Sequence, residues 1–220
     1  MFLCIADILD RNDLEAVVGR LNATTFDDGS ATAGWHARLV KRNLQARRDE
    51  PSLEELRARL AARILGNPVF QLAARPKALT PLLLSRYEPG MSYGTHVDDA
   101  LMGGLRTDLA FTLFLSDPDS YAGGELVIEA PGGEESFKLA AGSLLLYPAT
   151  TLHRVEPVTA GHRLAAVGWV RSHIRDASRR ELLFDLDTAR RALFECHGKT
   201  AEFDLLSKCS ANLLRMWAED

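Results

Sequence analysis

Two histidines and an aspartate in this chain have the types and spacing to hold a metal ion. The segment Arg86-Tyr-Glu-Pro-Gly-Met-Ser-Tyr-Gly-Thr-His-Val-Asp-Asp99 contains His96 and Asp98. Alternate residues of an extended strand share a face, so both side chains can reach one ion. H-x-D alone is common, and a surface histidine beside two acids is the readier explanation of it. A third donor changes the reading. His153 lies in Pro148-Ala-Thr-Thr-Leu-His-Arg-Val-Glu156, shortly after an apolar run that ends at Tyr147. Two imidazoles and one carboxylate on one side of an ion leave its other positions open to small molecules.

That donor set matches the facial triad of non-haem Fe(II) oxygenases. Zinc hydrolases use the same residue types, so the three ligands do not choose the metal. Arg163 narrows the choice. Strand parity in His162-Arg-Leu-Ala-Ala-Val-Gly-Trp-Val170 puts Arg163, Ala165, Val167 and Trp169 on one face. If that face looks inward, Arg163 is a buried cation, which is costly without an anion beside it. The strand itself contains no acid. Fe(II) with one aspartate carries a single net positive charge, and a dicarboxylate such as 2-oxoglutarate brings two negative ones. One arginine then makes the site neutral and grips a carboxylate through two parallel hydrogen bonds. The competing reading has Arg163 at a strand end or paired with Glu156.

The elements that must position these residues differ along the chain. Residues 1–76 read as mainly helical: Asp10 or Asn12 opens a helix with Leu14, Val17, Val18 and Leu21 on one side. Pro51-Ser52 leads into a second, with Leu53, Leu56, Leu60 and Ile64, which Gly66 and Pro68 stop. Residues 77–175 change to short strands, expected at Pro81–Tyr87, Thr107–Leu115, Glu125–Glu129, Ser136–Leu139, Ser143–Tyr147 and His162–Val170. Turns such as Asp117-Pro118-Asp119 and Pro131-Gly132-Gly133 separate them. This pattern predicts an antiparallel sandwich or barrel. Residues 176–220 turn helical again, with one helix carrying Leu182, Leu183, Leu186, Ala189 and Leu193 and a second over Ala201–Trp217. Two uses fit these helices: covering a sheet edge, or pairing with a second copy in a homodimer.

Composition excludes several classes. Apolar residues make up 46% and charged residues 25% of the 220, close to globular averages. The formal charge of -4 gives no global field for a nucleic-acid backbone. The Arg47–Arg48 and Arg179–Arg180 pairs read as solvated helix faces. No secretory or membrane-spanning pattern is present. Cys4, Cys196 and Cys209 are scattered, which suits free thiols in a cytoplasmic protein. His36, His162, His173 and His197 read as surface or structural, and Trp35 and Trp217 as packing.

The H-x-D, distal histidine and following arginine resemble the 2-oxoglutarate- and Fe(II)-dependent dioxygenases of the prolyl/lysyl-hydroxylase-like branch. The likeness to bacterial PKHD-type hydroxylases spans nearly the whole chain. It is carried by Arg86 to Ala100, Leu113-Phe-Leu-Ser-Asp-Pro118, Tyr121-Ala-Gly-Gly-Glu-Leu126, Leu152-His-Arg-Val-Glu-Pro-Val158 and the tail from Arg179 through Asp187 to Leu193. The resemblance implies an α+β fold with a double-stranded β-helix (jelly roll) core and N-terminal and C-terminal helices. It implies His96, Asp98 and His153 as iron ligands and Arg163 on the distal carboxylate of 2-oxoglutarate. Tyr87 would line the co-substrate pocket, with Tyr93 nearer the rim, and Trp169 would close it behind the arginine. Phe114 stands where some animal prolyl hydroxylases carry a tyrosine, so that hydroxyl is missing, with Thr112 nearby.

The implied reaction couples oxidative decarboxylation of 2-oxoglutarate, to succinate and carbon dioxide, with hydroxylation of a prime substrate by dioxygen, and L-ascorbate serves as reductant. A peptidyl or amino-acid side chain and an iron-chelator-like metabolite all fit as substrate. Loop 99–106, with Met102 and Leu105, is expected to help select it. The alternatives are a non-catalytic metal- or ligand-sensing jelly roll, which needs no open coordination sites, and a cupin-type metal isomerase or hydrolase, which has no use for Arg163.

Overall fold

The structure, a computed structural model, describes residues 1–47 and 50–219, with Ser52 by its backbone alone. Arg48, one half of the Arg47–Arg48 pair, lies outside the described residues. The first part of the chain runs β1 (Leu3–Ile5), α1 (Arg11–Asn22), β2 (Phe26–Asp28), β3 (Lys41–Arg42), β4 (Leu44–Ala46), α2 (Pro51–Gly66), α3 (Pro68–Ala74) and β5 (Pro76–Leu79). Strands follow: β6 (Leu83–Tyr87), β7 (Ser92–His96), the ribbon β8 (Leu101–Met102) and β9 (Leu105–Arg106), then β10 (Leu109–Phe114) and β11 (Tyr121–Gly123). Next come β12 (Leu126–Ala130), β13 (Gly133–Phe137), β14 (Leu144–Pro148), β15 (His153–Val155), β16 (Val158–Gly161) and β17 (Arg163–Ser172). Two helices come last, α4 (Ala177–His197) and α5 (Ala201–Trp217).

Two antiparallel sheets set the architecture. The larger has the order β1-β14-β10-β17-β6-β4-β2, with β5 added against β17; the smaller runs β13-β12-β15-β7-β3. Side chains alternate across the larger sheet with period two. Leu109, Phe111 and Leu113 of β10, Leu144 and Leu146 of β14, and Leu164, Ala166 and Val170 of β17 face the helices. There they meet Val17 and Leu21 of α1, Leu53, Leu60 and Ile64 of α2, and Phe70 of α3. Each fully buried leucine, isoleucine, valine or phenylalanine among them contributes about 1.5–3 kcal/mol by leaving water. On the opposite face Tyr87, Ala110, Phe114, Leu145 and Tyr147 pack with Leu126, Ile128 and Val155 of the smaller sheet. The larger sheet is thus covered on both sides, which is why β14 and, apart from Thr112, β10 read as near-continuous apolar runs.

The helix signals behave as their chemistry requires, with three differences. Asp10 caps α1 by accepting from the Asp13 amide at 2.8 Å. Pro68, read as a stop, is also the first residue of α3: Asn67 Oδ1 accepts from the Val69 and Phe70 amides at 2.9 and 3.0 Å, and proline suits that first helical position. The region before residue 76 is less α-helical than expected, because β2, β3 and β4, with two short 3-10 turns at Gly29–Thr32 and Ala37–Leu39, occupy most of residues 26–46. These strands are two or three residues long and form by pairing with distant partners, β4 with β6 and β3 with β7. Arg180 is not on a solvated helix face. It is buried, and its Nη1 donates to the carbonyls of Ile174 and Arg175 at 2.7 and 2.8 Å.

Trp35, expected to pack, is 75% exposed. The three cysteines are free. Helix α4 packs on α3, and α5 packs on α4, where Phe194 and Phe203 lie 5.0 Å apart. Among the described residues no helix is long and apolar enough to cross a membrane.

Candidate active site

The site lies between the two sheets, and the ladder of the smaller sheet builds the end at which His96, Asp98 and His153 converge. Strands β7 and β15 run antiparallel with His96 directly opposite His153. Their rings sit 4.3 Å apart, tilted by 52°. Asp98 follows two residues beyond the end of β7, and its Oδ2 lies 3.8 Å from His153 Nε2. One donor atom from each of the three falls within 4.8 Å of the others. All three side chains are nearly inaccessible, and among the described residues Asp98 Oδ2 has no hydrogen-bond partner.

Backbone carbonyls orient the imidazoles. His96 Nδ1 lies 2.9 Å from the Gly94 carbonyl and His153 Nδ1 3.1 Å from that of Thr151. A carbonyl can only accept, so both Nδ1 atoms carry the proton and both Nε2 lone pairs are left for an ion. Burial, with His153 alongside, pushes the His96 imidazole down to about 3, so it is neutral and ready to bind metal. Burial pushes the Asp98 carboxyl up, with His153 and the nearby Trp169 indole pulling the other way. A buried carboxylate with an open oxygen beside two free imidazole nitrogens fits a divalent cation, which would supply the missing positive charge. The Tyr93 ring stacks on His96 at 3.6 Å and holds it from the side.

At the other end of the same cavity stands Arg163, 2% exposed and directly opposite Tyr87 in the β6–β17 ladder. Its guanidinium carbon lies 5.2 Å from the centre of the Tyr87 ring and 5.4 Å from that of Phe114. Among the described residues no carboxylate pairs with it, Glu156 instead accepting from Arg154 at 2.7 Å, and Arg163 Nε has no partner. The reading in which Arg163 pairs with Glu156 is therefore set aside. Gly124, at φ 71°, leaves room for the arginine stem: a Cβ there would lie 3.0 Å from Arg163 Cδ.

Trp169 stands elsewhere than expected. The resemblance puts it behind Arg163, but the six steps along the strand from 163 to 169 span about 20 Å. The indole lies beside Asp98, at the end where the three candidate donors converge. The cavity, about 780 Å³ including its open mouth, brings together all six candidate residues. It also takes in side chains not singled out from sequence, namely Lys41, Asn43, Gln45 and Tyr147. Tyr147 sits 5.3 Å from His153. Its neighbour in the apolar run, Leu146, faces the helices, and only that alternation marked Tyr147 as inward.

The profile of the 2OG-Fe(II) oxygenase superfamily matches residues 82–171, and that of the PKHD-type hydroxylase C-terminal domain matches residues 176–219. A PKHD-type hydroxylase of Acaryochloris marina is 53% identical over 219 residues, with both chains covered in full. This chain belongs to the PKHD-type hydroxylases. A second relative of that name, from Synechococcus elongatus, is 55% identical over 223 residues, again with both chains covered in full. The PKHD-type hydroxylase described here is accordingly a 2-oxoglutarate-dependent Fe(II) dioxygenase, and its family implies Fe(II), 2-oxoglutarate and dioxygen as its reaction partners.

Solved structures share the fold at low identity. A prolyl-4-hydroxylase of Pseudomonas putida aligns with a TM-score of 0.54 at 19% identity, covering 78% of this chain and 92% of that one. HygX of Streptomyces hygroscopicus, solved with nickel and 2-oxoglutarate bound, aligns at 0.56 and 17%, covering 79% and 84%.

Proposed function

We propose that His96, Asp98 and His153 hold the Fe(II) and that Arg163 anchors the distal carboxylate of 2-oxoglutarate. The observation that carries this reading is Arg163: a buried guanidinium with no acid beside it, in the same cavity as three converging metal donors. A dicarboxylate between the two ends neutralises both. Tyr87 would border the co-substrate at the arginine end and Trp169 at the metal end. Thr112, which also lines the cavity, is the hydroxyl available where Phe114 has none.

The bound metal supplies redox chemistry with dioxygen, coupling decarboxylation of the keto acid to hydroxylation of the prime substrate. The chain contributes geometry and exclusion of water. Gly94 and Thr151 fix the tautomers, Tyr93 fixes the plane of His96, and the packed rings of Tyr87, Phe114 and Tyr147 keep the pocket dry.

Several finer readings belong with this one. The two facing sheets are read as a double-stranded β-helix (jelly roll) over residues 77–175, supported by residues 1–76 and extended by 176–220. L-ascorbate is the reductant that restores iron oxidised in turnovers without substrate. Three free cysteines favour a cytoplasmic location. Exposed Leu182, Phe194, Leu205 and Met216 on α4 and α5 favour a homodimer through those helices, which light scattering after size exclusion would test. The prime substrate is a peptidyl or amino-acid side chain, or an iron-chelator-like metabolite.

The test is an anaerobic Fe(II) titration with and without 2-oxoglutarate, following the visible charge-transfer band of the chelate. We expect a band in the wild type and a strongly weakened one in Arg163→Ala. Bound metal with no band in either protein would overturn the assignment.

A further inference from the structure

Lys41, Asn43 and Gln45 form a row that the metal and co-substrate leave unexplained. The segment 41–46 crosses from one sheet to the other: Lys41 pairs with Tyr93 of β7, while Leu44 and Gln45 pair with Arg86 and Ser85 of β6. Strand alternation turns residues 41, 43 and 45 into the cavity, where they are 7%, 3% and 6% exposed. Arg42 and Leu44 point the other way. Lys41 Nζ donates to Thr32 Oγ1 at 2.9 Å and lies 5.1 Å from the centre of the Tyr93 ring, so the charged end of the row is held in place. Among the described residues Gln45 Oε1 is buried without a hydrogen-bond partner, and the Asn43 amide, with the Tyr87 hydroxyl as its one polar neighbour, leaves its Nδ2 unpartnered.

Unmet buried polar atoms are costly, and a cavity lined with them points to a ligand that satisfies them. Neither co-substrate satisfies the whole row. Ionised 2-oxoglutarate can accept from Asn43 Nδ2, but it has acceptors only and dioxygen has no N–H or O–H, so neither can donate to Gln45 Oε1. The row also lies outside residues 82–171, the stretch matched by the superfamily profile, which contains every residue assigned above to metal and 2-oxoglutarate. The prime substrate remains.

Resting on the assignment under Proposed function, we propose that Asn43 and Gln45 are specificity-determining residues that bind an amide group of the prime substrate. An amide N–H donates to Gln45 Oε1, and its carbonyl accepts from Asn43 Nδ2. Alternate residues on a strand are about 6.6 Å apart. An amide with a hydrogen bond at each end bridges that gap more readily than a single hydroxyl oxygen, whose two bonds reach about 5.7 Å end to end.

The amide comes either from a peptide backbone or from a side-chain carboxamide, and the probes separate them. Succinate release by the Fe(II)- and 2-oxoglutarate-loaded enzyme is measured with N-acetyl amino-acid N-methylamides, with free asparagine and glutamine, and with O-acetyl hydroxy-acid methyl esters, which lack N–H. Amides of one source should raise the rate above the substrate-free level, and the esters should not. In Gln45→Met and Asn43→Leu the stimulation should fall by about tenfold or more, while Leu182→Ala on α4 keeps it. Gln45→Met removes an unpartnered buried oxygen, so its Tm should not fall, which separates a recognition role from a structural one.

Equal stimulation by esters, no stimulation by any probe, or full stimulation in both variants would overturn the proposal. So would a 2-oxoglutarate binding midpoint that shifts in step with the loss. A wild type with neither charge-transfer band nor succinate would instead strike at the metal and co-substrate assignment itself.

Discussion

Arg163 is a full charge surrounded by rings, and its position depends on the absence of one carbon atom at Gly124. With φ at 71°, Gly124 sits where L side chains are strained, and an added Cβ would lie 2.9 Å from Val158 Cγ2 and 3.0 Å from Arg163 Cδ. Gly124→Ala is expected to cost about 1–3 kcal/mol of stability. It should also raise the 2-oxoglutarate concentration needed for half-maximal charge-transfer absorbance, because the guanidinium must shift. Denaturant unfolding and the optical titration together check this, and an unchanged midpoint would mean that the arginine stem tolerates the intrusion. At this scale the sequence was legible wherever chemistry is rare: two histidines, an aspartate and an inward arginine are unusual on strand faces. The stack of Tyr93 on His96 was not readable, because it depends on ring orientation that spacing does not encode.

Among the elements, the ribbon β8–β9 stands at the cavity mouth. Gly103 and Gly104, at φ 57° and 80°, make the two-residue turn that tight hairpins favour. It holds Met102 against the cavity and leaves Leu101 68% exposed. Exchanging Met102 and Leu105 for alanine should alter turnover of the prime substrate while the 2-oxoglutarate optical midpoint stays put. Unchanged turnover of an identified substrate would remove the ribbon from selection. Strands β6, β10, β12, β14 and β17 were readable because a buried sheet imposes apolar runs or strict alternation. Strands β3 and β4 were not. In Lys41-Arg-Asn-Leu-Gln-Ala46 the polar residues at odd positions resemble a solvent face, whereas here they face a cavity and Ala46 faces the core. The period survives, and its polarity is inverted by the pocket. β15 was missed for a related reason: three residues form a strand only through partners on both sides, β7 and β12.

Across the whole molecule, the C-terminal helices are bound to the body by charge as well as by apolar contact. Asp187 of α4 is buried and bonds Arg75, which follows α3, while also accepting from Ser210 of α5 at 2.9 Å. Arg190 Nη2 lies 2.9 Å from the same carboxylate. Asp187→Ala leaves the largely buried Arg75 without its acid and is expected to cost about 3–5 kcal/mol, read from denaturant unfolding. Burial works to raise this carboxyl, but the hydrogen bonds from Arg75 and Ser210 and the charges of Arg75 and Arg190 outweigh it and hold it below the usual carboxylate range. Its contribution is therefore complete above the unfolded aspartate pKa, about 3.9, and is lost as pH falls through the lower folded value. Acid titration followed by near-ultraviolet dichroism should show the wild type losing stability below about pH 4. The Asp187→Ala variant should lack that component. A second tie runs from Arg106, which bonds Asp108 and also donates to Glu219 at 2.8 Å, linking the ribbon to the end of the chain.

The crossing of segment 41–46 between the sheets also has a kinetic consequence. The cavity is closed by contacts among residues near 43, 87, 96, 153 and 163, so no hairpin or helix–turn unit contains it. Loops of that length close slowly, and sheets built from distant partners fold late. Refolding should therefore return 2-oxoglutarate-dependent absorbance no earlier than tryptophan fluorescence, with no fast phase belonging to the metal site. A chelate band that recovers ahead of the fluorescence would mean that residues 96–153 organise their ligands as an autonomous unit.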